Sequence, residues 1–278
     1  MPRARRRLLA TLPAAPLLAL VVLFCSAGSV AARGISTAET RASGSDMAIG
    51  FDVSYPQCGG RLPSNGDFAI VGVNGGRVYS PNPCLGAGDD PSQLAWAGRD
   101  AILYANTGNP GPELSRYWPL GQTFPRVCSA DDPDTADCAY DYGWNAAADS
   151  YANAVAAYVS LGWADAEATR TPVANHWWLD VETANSWRDD ATLNAAALQG
   201  AVDFLESMEV ASVGFYSAPH MWQEITGGTD AFADHPSWVA GASTLRQALA
   251  VCRGSALTGG PVLMAQFFSR GFDANVVC

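Results

Sequence analysis

The chain contains no lysine; all 16 of its basic residues are arginine, against 27 acidic residues. Four of the arginines (Arg3, Arg5, Arg6 and Arg7) fall within the first seven positions. Setting them aside leaves 12 basic against 27 acidic residues, a balance of −15. So acidic a chain has no basic face for phosphate contacts, which excludes nucleic acid as an expected partner. It also disfavours electrostatic adhesion to anionic membranes or wall polymers. Histidine is scarce, with three, and no C-x-x-C pair occurs, so no metal site is expected. No G-x-G-x-x-G follows the first strand candidate, and Walker A and G-x-S-x-G motifs are missing. Nothing therefore points to a nucleotide cofactor or to a serine nucleophile elbow, and no cofactor is expected.

The longest apolar run is confined to the N-terminus. "MPRARRR" is a basic lead, "LLATLPAAPLLALVVLF" is apolar, and "SVAARG" offers small residues before a cut. This predicts a signal peptide over 1–32, cleaved near Ala31 or Ala32. The apolar core is too short and too broken by proline for a membrane span. A lipid anchor on Cys25 is the rival, but Phe24 stands where a lipobox has a small residue. Residues 33–47 read as a polar linker, and 48–278 as one domain of barrel size, secreted and monomeric. Cys58, Cys84, Cys128, Cys138, Cys252 and Cys278 then form an even set in an oxidising compartment, so disulfides are expected. Proximity along the chain favours 58–84, 128–138 and 252–278.

Short β-rich runs alternate with alanine-rich helical ones. Strand candidates are "MAIGFDVS", "DFAIVGVNGG", "AILYANTG", "VANHWWLDVE", "VASVGFYSA", "PSWVAGA", "PVLMAQFF" and "FDANVV". Helices are expected in "SQLAWAGR", over 143–162, over 189–208 with Asp190 as cap, in "PHMWQEIT", and in "STLRQALAVC" with Ser243 as cap. Residues 107–140 read as a long loop with two cysteines. The alternation predicts α/β architecture, and eight strands predict a closed (β/α) barrel, with an open doubly wound sheet as the alternative.

Residues i and i+2 of a strand share a face, so Asp180 and Glu182 point the same way. At the C-terminal end of a barrel strand they stand where such enzymes keep their chemistry. Asp52 ends the first strand in the same manner, and Asp273 begins the last. The spacing alone is weak, because Asp165 and Glu167 repeat it in an alanine-rich segment read as a solvated turn. Context separates the pairs: Asp180 follows "HWWL", and tryptophans beside a carboxyl dry it and raise its pKa toward the range of a general acid. Trp177, Trp178, Tyr216 and Trp238 are candidates for sugar-stacking walls, with core packing as the simpler reading. An acidic "SADDPDTADC" loop lacks EF-hand spacing for Ca²⁺.

The order of these motifs resembles glycoside hydrolase family 25, the secreted lysozymes. "GFDVSYPQ" resembles the family's opening, "WWLDVE" its fourth-strand D-x-E, "VGFYSAPHMW" and "SWVAGA" its fifth and sixth strands, and "MAQFFSRGFDANVV" its closing region. The resemblance covers most of 48–278. It implies an irregular TIM-like barrel that cleaves β-1,4-linked N-acetylated glycans of the cell wall. On the matching positions, Glu182 resembles the general acid, and Asp180, Asp52 and Asp273 its partner carboxylates. Gln57, Tyr216, Trp178, Trp238 and Gln266 fall on substrate-side positions. The chain departs from the family in "VGVNGGRVYSPNP", at Ala265 and Phe267, in its cysteines and in the long loop. In these it is like actinobacterial secreted proteins with a glycoside hydrolase-like domain. A glycan-binding protein without turnover is the alternative.

Overall fold

The computed structural model describes residues 47–88, 91–163 and 175–278. The expected signal peptide, the Cys25 anchor, the linker up to residue 46 and the Asp165/Glu167 pair lie outside the described residues. Eight strands close on themselves in chain order: β1 (Ile49–Val53), β2 (Ala69–Gly72), β3 (Ile102–Asn106), β4 (His176–Asp180), β5 (Ser212–Ser217), β6 (Ser237–Ala242), β7 (Val262–Ser269) and β8 (Phe272–Val277). Helices α1 (Gln93–Ala97), α2 (Ala136–Ser160), α3 (Ala191–Ser207), α4 (Pro219–Thr226) and α5 (Leu245–Val251) occupy the connections. The result is a single-domain α/β barrel, and the open-sheet alternative falls away.

The barrel departs from a regular one at its seam. Strands β1 to β7 run parallel, whereas β8 runs antiparallel to both β7 and β1. The cause is local. Arg270 and Gly271 both have positive φ (55° and 87°) between the paired Ser269 and Phe272. A two-residue turn of that hand makes a hairpin and leaves no length for a crossover helix.

Alternation along each strand sorts the apolar residues into two layers. Ile70, Trp178, Trp238 and Met264 cluster inside the barrel. Val71, Leu103, Trp177, Leu179, Val213 and Phe215 face outward and pack with α2 and α3 residues such as Tyr151, Tyr158 and Leu198. At the seam Phe51, Ala265, Phe267, Ala274 and Val276 pack with Ala248 of α5. The departures at Ala265 and Phe267 therefore belong to outer packing and do not enter the barrel mouth.

Helix α2 begins seven residues before the expected Gly143. Thr135 supplies the cap, its hydroxyl accepting from the Cys138 N–H at 3.2 Å; the acidic stretch before Gly143 hid this start. Asp190 caps α3 as expected, while α5 is capped by Thr244 and not by Ser243. All three disulfides join the favoured pairs, Cys58–Cys84, Cys128–Cys138 and Cys252–Cys278. No helix among the described residues is long and apolar enough to cross a membrane.

Helices α2 and α3 meet through glycine. A Cβ on Gly143 would lie 1.8 Å from the Ala197 carbonyl oxygen, and one on Gly200 would lie 2.0 Å from that of Tyr140. Alanine favours a helix interior by about 1 kcal/mol over glycine, but overpacking against rigid backbone costs about 1–3 kcal/mol. Gly143→Ala is expected to lower the melting temperature despite its better helix propensity. Thermal unfolding of the variant beside the wild type checks this.

Candidate active site

The parallel strands raise four side chains to the C-terminal mouth, and the reversal of β8 brings a fifth. Asp52 lies one residue before the end of β1, Asn106 ends β3, Asp180 ends β4, Tyr216 lies near the end of β5, and Asp273 stands near the start of β8. In a parallel strand an early residue would sit at the floor. Because β8 descends, Asp273 pairs directly with Asp52. Glu182 follows β4 by two residues on the same face as Asp180, the ladder continuing through Val181 N–H to the Tyr216 carbonyl at 2.9 Å.

Amides supply the hydrogen bonds. One oxygen of Asp52 accepts from Asn275 at 2.7 Å and from Gln266 at 3.1 Å. Gln266 in turn accepts from the Tyr216 hydroxyl at 2.8 Å. The register sets Asn106 beside Asp180, and its amide donates to Asp180 Oδ2. Asn106 is held by its own N–H bond to Asn74 at 2.9 Å, and Asn74 donates to Ser150 of α2 at 3.1 Å. Asp180 also shares a side-chain hydrogen bond with Glu182, which raises Asp180 and lowers Glu182 against its burial.

The backbone carrying the acid is clamped at three successive carbonyls. Thr107 gives both its N–H (3.1 Å) and its hydroxyl (2.6 Å) to the Asp180 carbonyl. Ser217 donates to that of Val181 at 2.6 Å. The Glu182 carbonyl accepts from the Asn185 N–H at 3.1 Å and the Trp187 indole at 2.8 Å.

Burial raises every carboxyl of the set, and repulsion from neighbouring carboxyls adds to it for Asp52, Asp180 and Glu182. Asp52 is pushed up to about 7, first by burial, then by the charge of Asp273, against the opposing pull of Asn275 and Gln266. Asp180 is raised well above the usual range by burial, then by Glu182 and Asp52. Glu182 is raised by burial and then by Asp273, and Asp273 by burial. The acids thus feel one another across the mouth, from β8 through β1 to β4. Tyr104 and Tyr216, raised by burial and by these charges, remain neutral phenols. Among the described residues no group of three or more His, Cys, Asp and Glu is placed to hold a metal ion.

The remaining expected site residues divide. Tyr216 and Gln266 join the Asp52 network. Gln57 instead accepts from the Ser54 N–H at 2.9 Å and caps the 3₁₀ turn after β1. Trp178 and Trp238 are 4% and 1% exposed and fill the barrel below the carboxyls; Trp238 donates to Asn275 at 2.8 Å. Trp177 points outward and stacks on Tyr151. These three tryptophans pack the interior and do not line an open wall. Asn106, Asn275 and Tyr104 were not anticipated. Their signal was the i, i+2 spacing, with Asn275 two residues beyond Asp273 and Asn106 two beyond Tyr104.

A family profile described as "Lysozyme-like protein 1" matches residues 165–244, the segment that carries β4, β5 and β6. Over that segment the chain is similar to that family's model. No curated protein sequence matches. Among solved structures, a muramidase from Trichobolus zukalii aligns at 16% identity over 83% of this chain and 93% of its own, with a TM-score of 0.46. A glycoside hydrolase family 25 lysozyme from Aspergillus fumigatus aligns at 12% identity over 84% and 94%, with a TM-score of 0.46. The modular Cpl-1 endolysin, complexed with a peptidoglycan analogue bearing a tetrasaccharide and a pentapeptide, aligns at 15% identity over 83% of this chain. There the alignment spans 54% of the endolysin, with a TM-score of 0.49.

Asp52 holds its proton more tightly in the fold than in the unfolded chain, 3.8 rising to about 7. Its contribution to stability is complete below about pH 4 and is lost as the pH climbs through about 7. Asp52→Asn is therefore expected to stabilise the protein at pH 8, by on the order of 2–4 kcal/mol, and much less at pH 4. Melting temperatures of both proteins at the two pH values measure it. An equal shift at both would contradict the burial of this charge.

Proposed function

We propose that this chain is a secreted, monomeric glycosidase that cleaves β-1,4-linked N-acetylated glycans of the cell wall, in the manner of a muramidase. Residues 1–32 would leave as a signal peptide, and the three disulfides suit an extracellular setting. The observation that carries the reading is the Asp180–Glu182 pair at the end of β4, facing Asp52 and Asp273 across the mouth.

Glycoside cleavage needs a protonated carboxyl at the leaving oxygen and negative charge near an oxocarbenium-like centre. Glu182 suits the first role. It is the half-buried member of the β4 pair, its pKa is raised, and its backbone is clamped. Asp52 and Asp273 suit the second, since a developing positive charge draws both toward ionisation. Asp180, more deeply buried than Glu182, is the group to orient the substrate acetamido. Its hydrogen bond to Glu182 ties the two carboxyls of the pair together.

The alternative, a glycan-binding protein without turnover, rests on the altered loop after β2, where "NGGRVYSP" stands in place of the family's pattern. Incubation with purified cell walls and with chitin oligomers separates the two. The wild type is expected to release new reducing ends. Glu182→Gln is expected to release them about 10²–10⁴-fold more slowly, with its melting temperature not lowered. Release by neither protein would defeat the enzymatic reading, and equal release by both would remove Glu182 as the acid.

A further inference from the structure

Two open grooves flank the mouth on the β4 side and share a wall. One, of about 660 Å³, runs between the β3–α2 loop and residues 187–189. The other, of about 300 Å³, runs from Thr183 to Glu224 and Ile225 of α4. Trp187, Arg188 and Asp189 line both. Trp187 connects them to the candidate acid, because its indole holds the Glu182 carbonyl.

The larger groove is built before any ligand arrives. The Cys128–Cys138 disulfide ties the β3–α2 loop to α2. Asn109 N–H bonds to the Ser186 carbonyl at 2.8 Å, and Trp118 braces the loop against the Pro133 carbonyl at 2.8 Å. Arg188 grips Asp134 through two bonds of 2.6 and 2.7 Å. Gly111 lets it pass, since a Cβ there would meet the guanidinium at 2.6 Å. A preformed groove spares a ligand the entropy of ordering it.

Apart from Trp187 on the shared wall, the open apolar surface is aliphatic, with Leu114 79% and Leu120 56% exposed beside Pro110 and Pro112. Across the two grooves stand Glu113, Asp134, Asp189 and Glu224, while among the described residues Arg188 is the one basic residue lining them and is engaged by Asp134. The acids thus outnumber the bases four to one. A neutral glycan can donate hydroxyls to these carboxylates but brings no countercharge, and an anionic polymer is repelled. Small aliphatic side chains together with an ammonium group satisfy both features.

We infer that the groove under the β3–α2 loop binds the amine-bearing peptide attached to the wall glycan, while the sugar chain lies over the carboxyls. This rests on the glycosidase reading for the position of the sugar. Trp187 places the peptide beside Glu182, so that peptide-bearing strands are cleaved in preference to bare ones.

The test has two arms, each with wild type, Leu114→Ser/Leu120→Ser and Glu113→Gln/Asp189→Asn. In the first, reducing-end release is followed on peptide-bearing walls and on walls stripped of peptide by an amidase. Wild type is expected to show about ten-fold higher kcat/KM on the peptide-bearing substrate. The variants are expected to lose that preference while keeping the rate on stripped walls. In the second, calorimetry measures binding of a soluble wall tetrapeptide with a free side-chain amine, and of its N-acetylated form. Acetylation is expected to weaken binding about two- to five-fold, and the leucine double variant to bind neither form. Equal rates on both substrates, or unchanged peptide binding in both variants, would overturn the inference. So would self-association through the groove, seen by sedimentation and abolished by the leucine changes. If wild type cleaves neither substrate, the glycosidase reading fails, and the binding arm alone decides the groove.

Discussion

The mouth of this barrel depends on one hydrogen-bonded seam, the antiparallel pairing of β8 with β1. A parallel eighth strand would need a crossover and would bury its first residues at the floor. The two-residue turn at Arg270 and Gly271 sends β8 down the barrel instead. Asp273 is thereby set opposite Asp52, and Asn275, two residues on, reaches the Asp52 carboxyl from within. Like charges facing across a ladder repel, so the seam that closes the barrel also stores the electrostatic tension of the site.

That tension is moderated by neutral donors. Among the described residues no arginine is bonded to Asp52, Asp180 or Glu182; the amides of Asn275, Gln266 and Asn106 serve in its place. An amide stabilises a carboxylate less than a guanidinium does, and it does not pin the carboxyl in its ionised form. The acids therefore stay within reach of their protons at ordinary pH, as acid catalysis requires. An arginine in the same place would have favoured stability over reactivity.

Much of the fold could be read from the chain, because short β-rich apolar runs such as "HWWLD" and "SVGFYS" alternate with alanine-rich runs that keep helical spacing. The three cysteine pairings followed from proximity. Harder to read was whatever depended on contact between distant segments. The direction of β8 is set by two backbone angles that no hydrophobic pattern reports. The start of α2 was masked by acidic residues that face the long loop. For the site, the four acids stood out by their places on strands, whereas Asn106 and Asn275 looked like ordinary strand-end residues. The tryptophans admitted two readings, a sugar wall or core packing, and the simpler one holds, because a small barrel needs such rings to fill its interior.

The clamp on residues 180–182 has a wider consequence. Three consecutive carbonyls are held by Thr107, Ser217, Asn185 and Trp187, so the acid's position is referenced to strand ends and to short anchors. The middle of the β3–α2 loop, from Pro110 onward, supplies none of those four anchors. A lineage could lengthen, recharge or reshape this segment freely while the reacting groups stayed in register. Novelty in what is recognised would then accumulate beside an unaltered chemical centre.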